Sequence, residues 1–276
     1  MDTKGWMFRG MLLLAVAGGK TADVAAQGFH SHLPAVRNGF VVIAHRGNHV
    51  RVPENTIASV EEAIRAAADY VEIDLRTTKD GYLVLSHDAT VDRMTNGKGK
   101  VRDLTFEEIR KLKVGKDSTL YRIPTFREVL HVCKGRMNIY LDFKDADPAV
   151  TYGQIREAGM EGQVVVYLNK AVQYDQWKKA APAMPLMSSM PEQIKTPAQF
   201  SAFLDQVQVA VLDNVYDTAL QVVAKEKDVA LWLDVEGPDE GPALWDRALV
   251  WNIQGLQTDH PAALVDFLRQ TGRRQK

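Results

Sequence analysis

Apolar runs alternating with amphipathic stretches predict an α/β protein. The fold expected is a (β/α)8 TIM barrel with a small insertion after the second strand. Three observations carry this. First, strand-like runs at 40–44, 70–75, 137–143, 163–168, 183–187, 207–212, 229–233 and 253–257 number eight. Second, helical stretches lie between most of them, at 55–68, 148–158, 170–180, 197–205, 215–227, 239–250 and 261–270, so consecutive strands should run parallel. Third, the G-x-G-x-x-G turn that a doubly wound nucleotide-binding sheet would want after its first strand is absent.

The first run, Phe40 to Ala44, is continuously apolar, as a strand buried on both faces should be. Ile57, Val60, Ile64 and Ala67 then recur at helical spacing, with Pro53 and Glu54 at the helix entrance. Tyr70 to Leu75 is the second strand. Asp80-Gly81 marks a tight turn into a further strand, Tyr82 to Ser86. Residues 82–124 interrupt the alternation, and the part past that strand, about 88–124, reads as an insertion. Thr105 with Glu108 three residues on has the pattern of a capping box. From residue 137 onward strands and helices alternate to the end.

Composition excludes several classes. Of 276 residues 46% are hydrophobic, and 34 basic side chains nearly cancel 35 acidic ones, so the chain is not intrinsically disordered. A net charge of −1 gives no electrostatic footprint for nucleic acid. The single cysteine, Cys133, excludes a disulfide framework and a Cys-rich zinc site. No apolar run reaches the ~18 residues of a spanning helix, so stable membrane insertion is not expected. Residues 1–27 differ from the rest: Lys4 and Arg9 precede a short apolar stretch, and small residues end in Val24-Ala25-Ala26-Gln27. This pattern predicts a cleaved secretory signal and a periplasmic or secreted protein; the plainer reading is an N-terminal extension of a cytoplasmic one.

In a barrel of this kind the active site gathers where the strands end. Glu72 and Asp74 are two apart on one strand and share a face. Buried carboxylates there must be ion-paired or metal-bound. Arg46, Arg76 and Lys144 would serve the first case. Together with Asp142 on the third strand they form an all-oxygen set, which suits Mg2+ or Ca2+ rather than zinc. His45 and His87 end two strands beside these groups and are the natural proton-transfer pair. His30, His32, His49, His131 and His260 read as surface or packing residues. Arg46 and Lys144 would set fixed positive charge beside the carboxylates, which suggests an anionic, phosphate-bearing substrate. The glycines around Asn96-Gly97-Lys98-Gly99-Lys100 lack Walker spacing, and no G-x-S-x-G elbow is present.

These residues resemble the glycerophosphodiester phosphodiesterase family. The matches are His45-Arg46-Gly47, Pro53-Glu54-Asn55-Thr56 with Ser59, Val71 to Arg76, Thr78-Lys79-Asp80-Gly81, and Val84 to Asp88. Arg93, Thr95-Asn96-Gly97, Gly99, Ile123-Pro124-Thr125, Leu141 to Lys144 and Thr258-Asp259-His260-Pro261 continue the pattern. The match is dense over 41–144 and thin afterward. It implies a barrel domain over residues 38–272, a divalent cation, and hydrolysis of glycerophosphodiesters to glycerol 3-phosphate and an alcohol. Carried over, His45 and His87 are the acid and base, and Glu72 and Asp74 are metal ligands. Arg46 and Lys144 contact phosphate, and Trp232 lines the pocket. The family usually has Glu where this chain has Asp142, so the shorter arm is expected to reach metal poorly or through water. A related barrel phosphodiesterase for lysophospholipids or phosphoinositol head groups would share the catalytic half and differ at the rim. A non-catalytic binding protein on this scaffold would need a lost catalytic residue, and both histidines and both second-strand carboxylates are present.

Overall fold

The computed structural model describes residues 33–36, 38–115 and 120–275; the leader read at 1–27, with His30 and His32, lies outside them. The chain opens with β1 (Val41–Ala44), α1 (Ile57–Arg65), β2 (Tyr70–Thr77) and β3 (Leu83–Leu85). Next come α2 (Phe106–Lys111), α3 (Phe126–Cys133), β4 (Asn138–Phe143) and α4 (Pro148–Ala158). The pattern continues through β5 (Val164–Leu168), α5 (Ala171–Ala180), β6 (Leu186–Ser189), α6 (Pro197–Gln206), β7 (Val211–Asp213) and α7 (Thr218–Glu226). It ends with β8 (Ala230–Asp234), α8 (Pro242–Ala248), β9 (Gly255–Thr258) and α9 (Pro261–Gln270).

All strand pairings are parallel except one, and β1 pairs with both β2 and β9, which closes the sheet into a barrel. The exception is β3, which returns antiparallel along β2 after the turn at Gly81, where φ is 85°. It leads into the insertion, whose own small core joins Val84, Val91, Val101, Ile109, Val114 and Ile123.

Strands begin later than hydrophobicity alone suggests. β6, β7 and β9 start at Leu186, Val211 and Gly255, against expected starts at 183, 207 and 253. Met184, Val209 and Ile253 lead into these strands and are buried just as strand residues are, so apolarity cannot mark where the ladder begins. The α3 helix, foreseen only through the family resemblance, is capped by Thr125 and Glu128 in the same box that starts α2 at Thr105.

Two apolar layers follow from strand alternation. Val71, Ile73 and Leu75 point outward to the helices, as do Ile139, Leu141 and Phe143. Tyr70, Tyr140, Val165, Tyr167, Val211 and Trp232 belong to the cluster that fills the barrel interior. Further along these strands the same inward face turns polar: Tyr70 gives way to Glu72 and Asp74, Tyr140 to Asp142, Val211 to Asp213 and Trp232 to Asp234. An aromatic plug thus underlies a charged mouth. Gly255 belongs to the plug, since a Cβ there would lie 2.8 Å from Trp232 Cδ1 and 3.0 Å from Val41 Cβ.

The base of the barrel is tied to the end of the chain. Arg274 is buried and pairs with Asp69, and it also donates to the carbonyl of Phe40 at 3.0 Å. Asp69 in turn accepts from the Val42 amide at 2.9 Å. The fold therefore includes Arg274, beyond the boundary at 272 read from the sequence. Removing one partner of a buried pair leaves the other charge uncompensated. Arg274→Ala should lower unfolding stability by about 3–5 kcal/mol. The check is the midpoint of urea unfolding; an unchanged midpoint would show that the staple is solvated and weak.

Candidate active site

Strand register assembles the site. Asp74 lies opposite Asp142 in the β2–β4 ladder, and Glu72 lies one inward position below Asp74. All three carboxylates are buried, at 3%, 0% and 6% exposure for Glu72, Asp74 and Asp142. One oxygen from each lies within 4.8 Å of the others. Asp142 therefore reaches the group despite its shorter arm.

Fixed cations surround the set. Lys144 Nζ lies 3.0 Å from Asp74 Oδ1 and also bonds Asp142. Arg46 Nε is 3.7 Å from Asp74 Oδ2, while its Nη1 donates to Glu54 at 3.1 Å and its backbone amide to Glu72 at 2.7 Å. Asn55 donates through Nδ2 to Asp74 Oδ2 at 2.8 Å and accepts the Asp74 amide at 3.1 Å. The loop from β1 to α1 is bent tightly to place these groups. Arg46, Gly47 and Asn55 have φ of 52°, 83° and 53°. A Cβ on Gly47 would meet the Ser59 backbone carbonyl carbon at 2.7 Å, so only glycine fits there.

Electrostatics show where the set is short of positive charge. Burial and the charge of Asp74 push the Glu72 carboxyl up to about 8. Burial would also raise Asp74, but Lys144, His87 and Arg46 outweigh it and hold Asp74 low. Asp74 Oδ1, though close to Lys144, has no hydrogen bond of good geometry. A hard divalent cation fits this donor set. It would supply the missing charge with oxygen ligands, and the residues to hold it are Glu72, Asp74 and Asp142.

The histidines approach from two sides. His45 follows β1, and its Nδ1 lies 2.7 Å from Asp259 Oδ1. Burial alone would lower its imidazole, but the bond to Asp259 and the charges of Glu72 and Glu236 raise it to about 9. His87 follows β3, and its Nδ1 lies 2.8 Å from Asp88 Oδ1. Asp88 also accepts from Arg93 at 2.7 Å, and Arg93 bridges on to Glu54 at 2.7 Å. Arg76 does not pair with the carboxylates. Its Nη2 donates to the His87 carbonyl at 2.7 Å and its Nη1 to Asp145 at 2.7 Å, so it pins the segment that carries His87.

Two expectations need correction. Trp232 is 1% exposed and packs in the interior plug, its ring tilted against Tyr70 at 5.1 Å and Tyr140 at 6.2 Å. It forms the floor beneath the charged mouth, with no open face to line a pocket. His49, read as a surface or packing residue, places Nε2 2.9 Å from the same Asp259 oxygen that His45 contacts. His131 is exposed on α3, and His260 stands at the start of α9. Asp259, Glu54 and Asn55 are site residues that composition and spacing did not single out. Asp213, Asp234 and Glu236 add acidic groups on the β7–β8 side of the mouth.

The glycerophosphoryl diester phosphodiesterase family model matches residues 45–186 of the 276. A glycerophosphodiester phosphodiesterase of Caldanaerobacter subterraneus subsp. tengcongensis is 31% identical over 244 residues, covering 84% of this chain and 99% of the relative. A crystal structure of a glycerophosphodiester phosphodiesterase from Agrobacterium tumefaciens str. C58 superposes with a TM-score of 0.72 at 24% identity, covering 81% of this chain and 98% of that one. An Oleispira antarctica phosphodiesterase, solved with the product sn-glycerol-3-phosphate, superposes with a TM-score of 0.71 at 20% identity, over 84% and 97% of the two chains. At these identities the two structures speak for the fold. The family match begins at His45 and takes in all three buried carboxylates, and the aligned relative is covered almost end to end: the chain belongs to the glycerophosphoryl diester phosphodiesterase family.

Proposed function

We propose that this protein is a metal-dependent phosphodiesterase that hydrolyses glycerophosphodiesters to glycerol 3-phosphate and an alcohol. The observation that carries the reading is the buried Glu72, Asp74 and Asp142 set, flanked by His45, His87, Arg46 and Lys144 at one end of the barrel. The product bound to the Oleispira antarctica neighbour supports the glycerol 3-phosphate side of the reaction. A bound Mg2+ or Ca2+ would polarise the phosphate and offset its charge.

The chain's own groups do the rest. Arg46 and Lys144 hold the phosphate oxygens by charge-assisted hydrogen bonds. His87 takes the proton from the attacking oxygen, either water or a neighbouring substrate hydroxyl, as its bond to phosphorus forms. His45 gives a proton to the alcohol oxygen as the phosphorus–oxygen bond on that side breaks. This division of labour follows from the surroundings. The bond to Asp259 and the charges of Glu72 and Glu236 favour the protonated form of His45, which suits it to the acid role and leaves the base role to His87. Consistent with a secreted or periplasmic enzyme, residues 1–27 have the composition of a cleaved leader.

A product assay on a panel of glycerophosphodiesters and a lysophospholipid, with and without metal, tests the reading. Chelator should abolish activity, and Mg2+ or Ca2+ should restore it. Asp142→Glu should stay active and metal-responsive, while Asp142→Ala should lose metal affinity by at least ~10-fold. Full activity in metal-stripped protein would sink the metal assignment.

His45→Ala and His87→Ala should each lose ~10²-fold or more in turnover while keeping the wild-type melting temperature. If His45 is the acid, activity is present while it stays protonated. It should therefore fall as pH rises through about 9. An activity that climbs through that range would reverse the assignment.

Protein isolated from its source should begin near Gln27 by intact-mass measurement. A retained Met1 in a cytosolic fraction would overturn the leader.

A further inference from the structure

The Nδ1 nitrogen of His45 has a built environment. Its partner Asp259 directly follows β9, and strand register brings the two residues together. Ala44 lies opposite Thr258 in the β1–β9 ladder, and the His45 amide donates to the Thr258 carbonyl at 3.0 Å. Asp259 is itself anchored. Its amide donates to Glu240 Oε2 at 2.9 Å, and Glu240 is fixed in turn by the Thr258 hydroxyl and by Trp245 Nε1 at 3.0 Å. His49 comes from the loop after β1 and meets His45 edge to face, with ring centroids 6.2 Å apart and 72° between the planes. Both imidazoles direct a nitrogen at Asp259 Oδ1, at 2.7 and 2.9 Å.

We propose that Asp259 is a positioning residue for the reaction: it holds the Nδ1 proton of His45 so that Nε2 is the nitrogen presented to the substrate, and His49 braces the same carboxylate oxygen. An imidazole with a fixed donor bond at one nitrogen has its tautomer and ring orientation decided. A carboxylate with two donors on one oxygen has little freedom to swing away. Its anionic form is secured as well. Burial would raise Asp259, but the bonds from His45 and His49 outweigh it and hold the group well below the usual carboxylate range. The other charged groups that act on His45 are Glu72, Glu236 and Arg46. Of these, none is hydrogen-bonded to its ring.

This inference rests on the reading of His45 as a proton carrier, and the test separates the two. Full-length, metal-saturated enzyme is compared with His45→Ala, Asp259→Asn, Asp259→Glu, His49→Gln and His49→Leu. Asp259→Asn should lose ~10²-fold or more in kcat with little change in KM, since tautomer control acts in the transition state. Its alkaline limb should move to lower pH, because the carboxylate that holds the His45 proton is gone. Asp259→Glu should recover part of the loss. His49→Gln keeps an N–H donor and should stay close to wild type, while His49→Leu should lose severalfold in kcat. Imidazole nitrogen NMR should show the Nδ1–H tautomer of His45 in the wild type and a mixture in Asp259→Asn. If His45→Ala retains full activity, the proton-transfer reading itself fails. If His45→Ala is inactive while Asp259→Asn keeps the wild-type kcat, pH profile and tautomer, the positioning role of Asp259 is overturned.

Discussion

Three carboxylates on adjacent inward positions of two paired strands are the constraint around which the mouth of this barrel is organised. A buried carboxylate is costly unless charge or hydrogen bonds meet it. Glu72 and Asp74 cannot avoid each other, because strand alternation puts them on one face. Asp142 joins them through the β2–β4 register. Lys144 directly follows the strand that carries Asp142, and Arg46 comes from the turn after β1. Even so, burial and the neighbouring Asp74 charge keep the Glu72 carboxyl raised.

The scaffold compensates with a device it uses twice. Asn55 and Asn214 both adopt left-handed backbone, at φ of 53° and 56°. Each then clamps an aspartate with a two-bond fork. Asn55 donates to Asp74 at 2.8 Å and accepts its amide at 3.1 Å; Asn214 does the same to Asp234, at 2.8 and 3.1 Å. An L-residue in this conformation costs roughly 1–2 kcal/mol, less for Asn. The fork returns part of that cost by fixing a carboxylate at the mouth. The two clamps stand on different parts of the barrel, one at the Glu72, Asp74 and Asp142 set and one on the acidic side formed by β7 and β8.

The parts of the site that were legible in the sequence are those that depend on local periodicity. Glu72 and Asp74 could be placed on one face from their spacing, and His45 and His87 could be placed at strand ends from the runs before them. Asp259 could not. It lies 214 residues from His45, and only closure of β1 against β9 brings them together. His49 shared that fate, because the carboxylate its ring nitrogen meets is Asp259. Arg76 was visible as a cation on the second strand, but it stands further along the strand than Asp74 and is engaged by the His87 carbonyl and Asp145 instead. Trp232 was misplaced for a related reason. Its strand was right, yet its height along the barrel decides between floor and wall, and height depends on register with Gly255 and Val41. The capping boxes at Thr105 and Thr125 are equally local; the first was read, and the second was available as Thr-x-x-Glu.

Both ends of the closing seam are fastened by ion pairs between distant parts of the chain. At the base, Arg274 reaches Asp69 and the Phe40 carbonyl, beside the amide of Val42 on β1. At the mouth, Asp259 reaches His45 across the same pair of strands. The setting of His45 is therefore not complete within the chain up to the end of β4, although all three buried carboxylates are. Its orientation comes from the last strand, and that strand joins β1 only when the barrel closes. His87 has no such dependence, since β3 folds back locally on β2 and Arg76 pins it within the same hairpin. A chain whose last strand had not yet docked would hold His87 and the carboxylates in place with His45 unrestrained. The orientation of His45 is thereby coupled to closure of the barrel rather than to formation of the part that carries the three carboxylates.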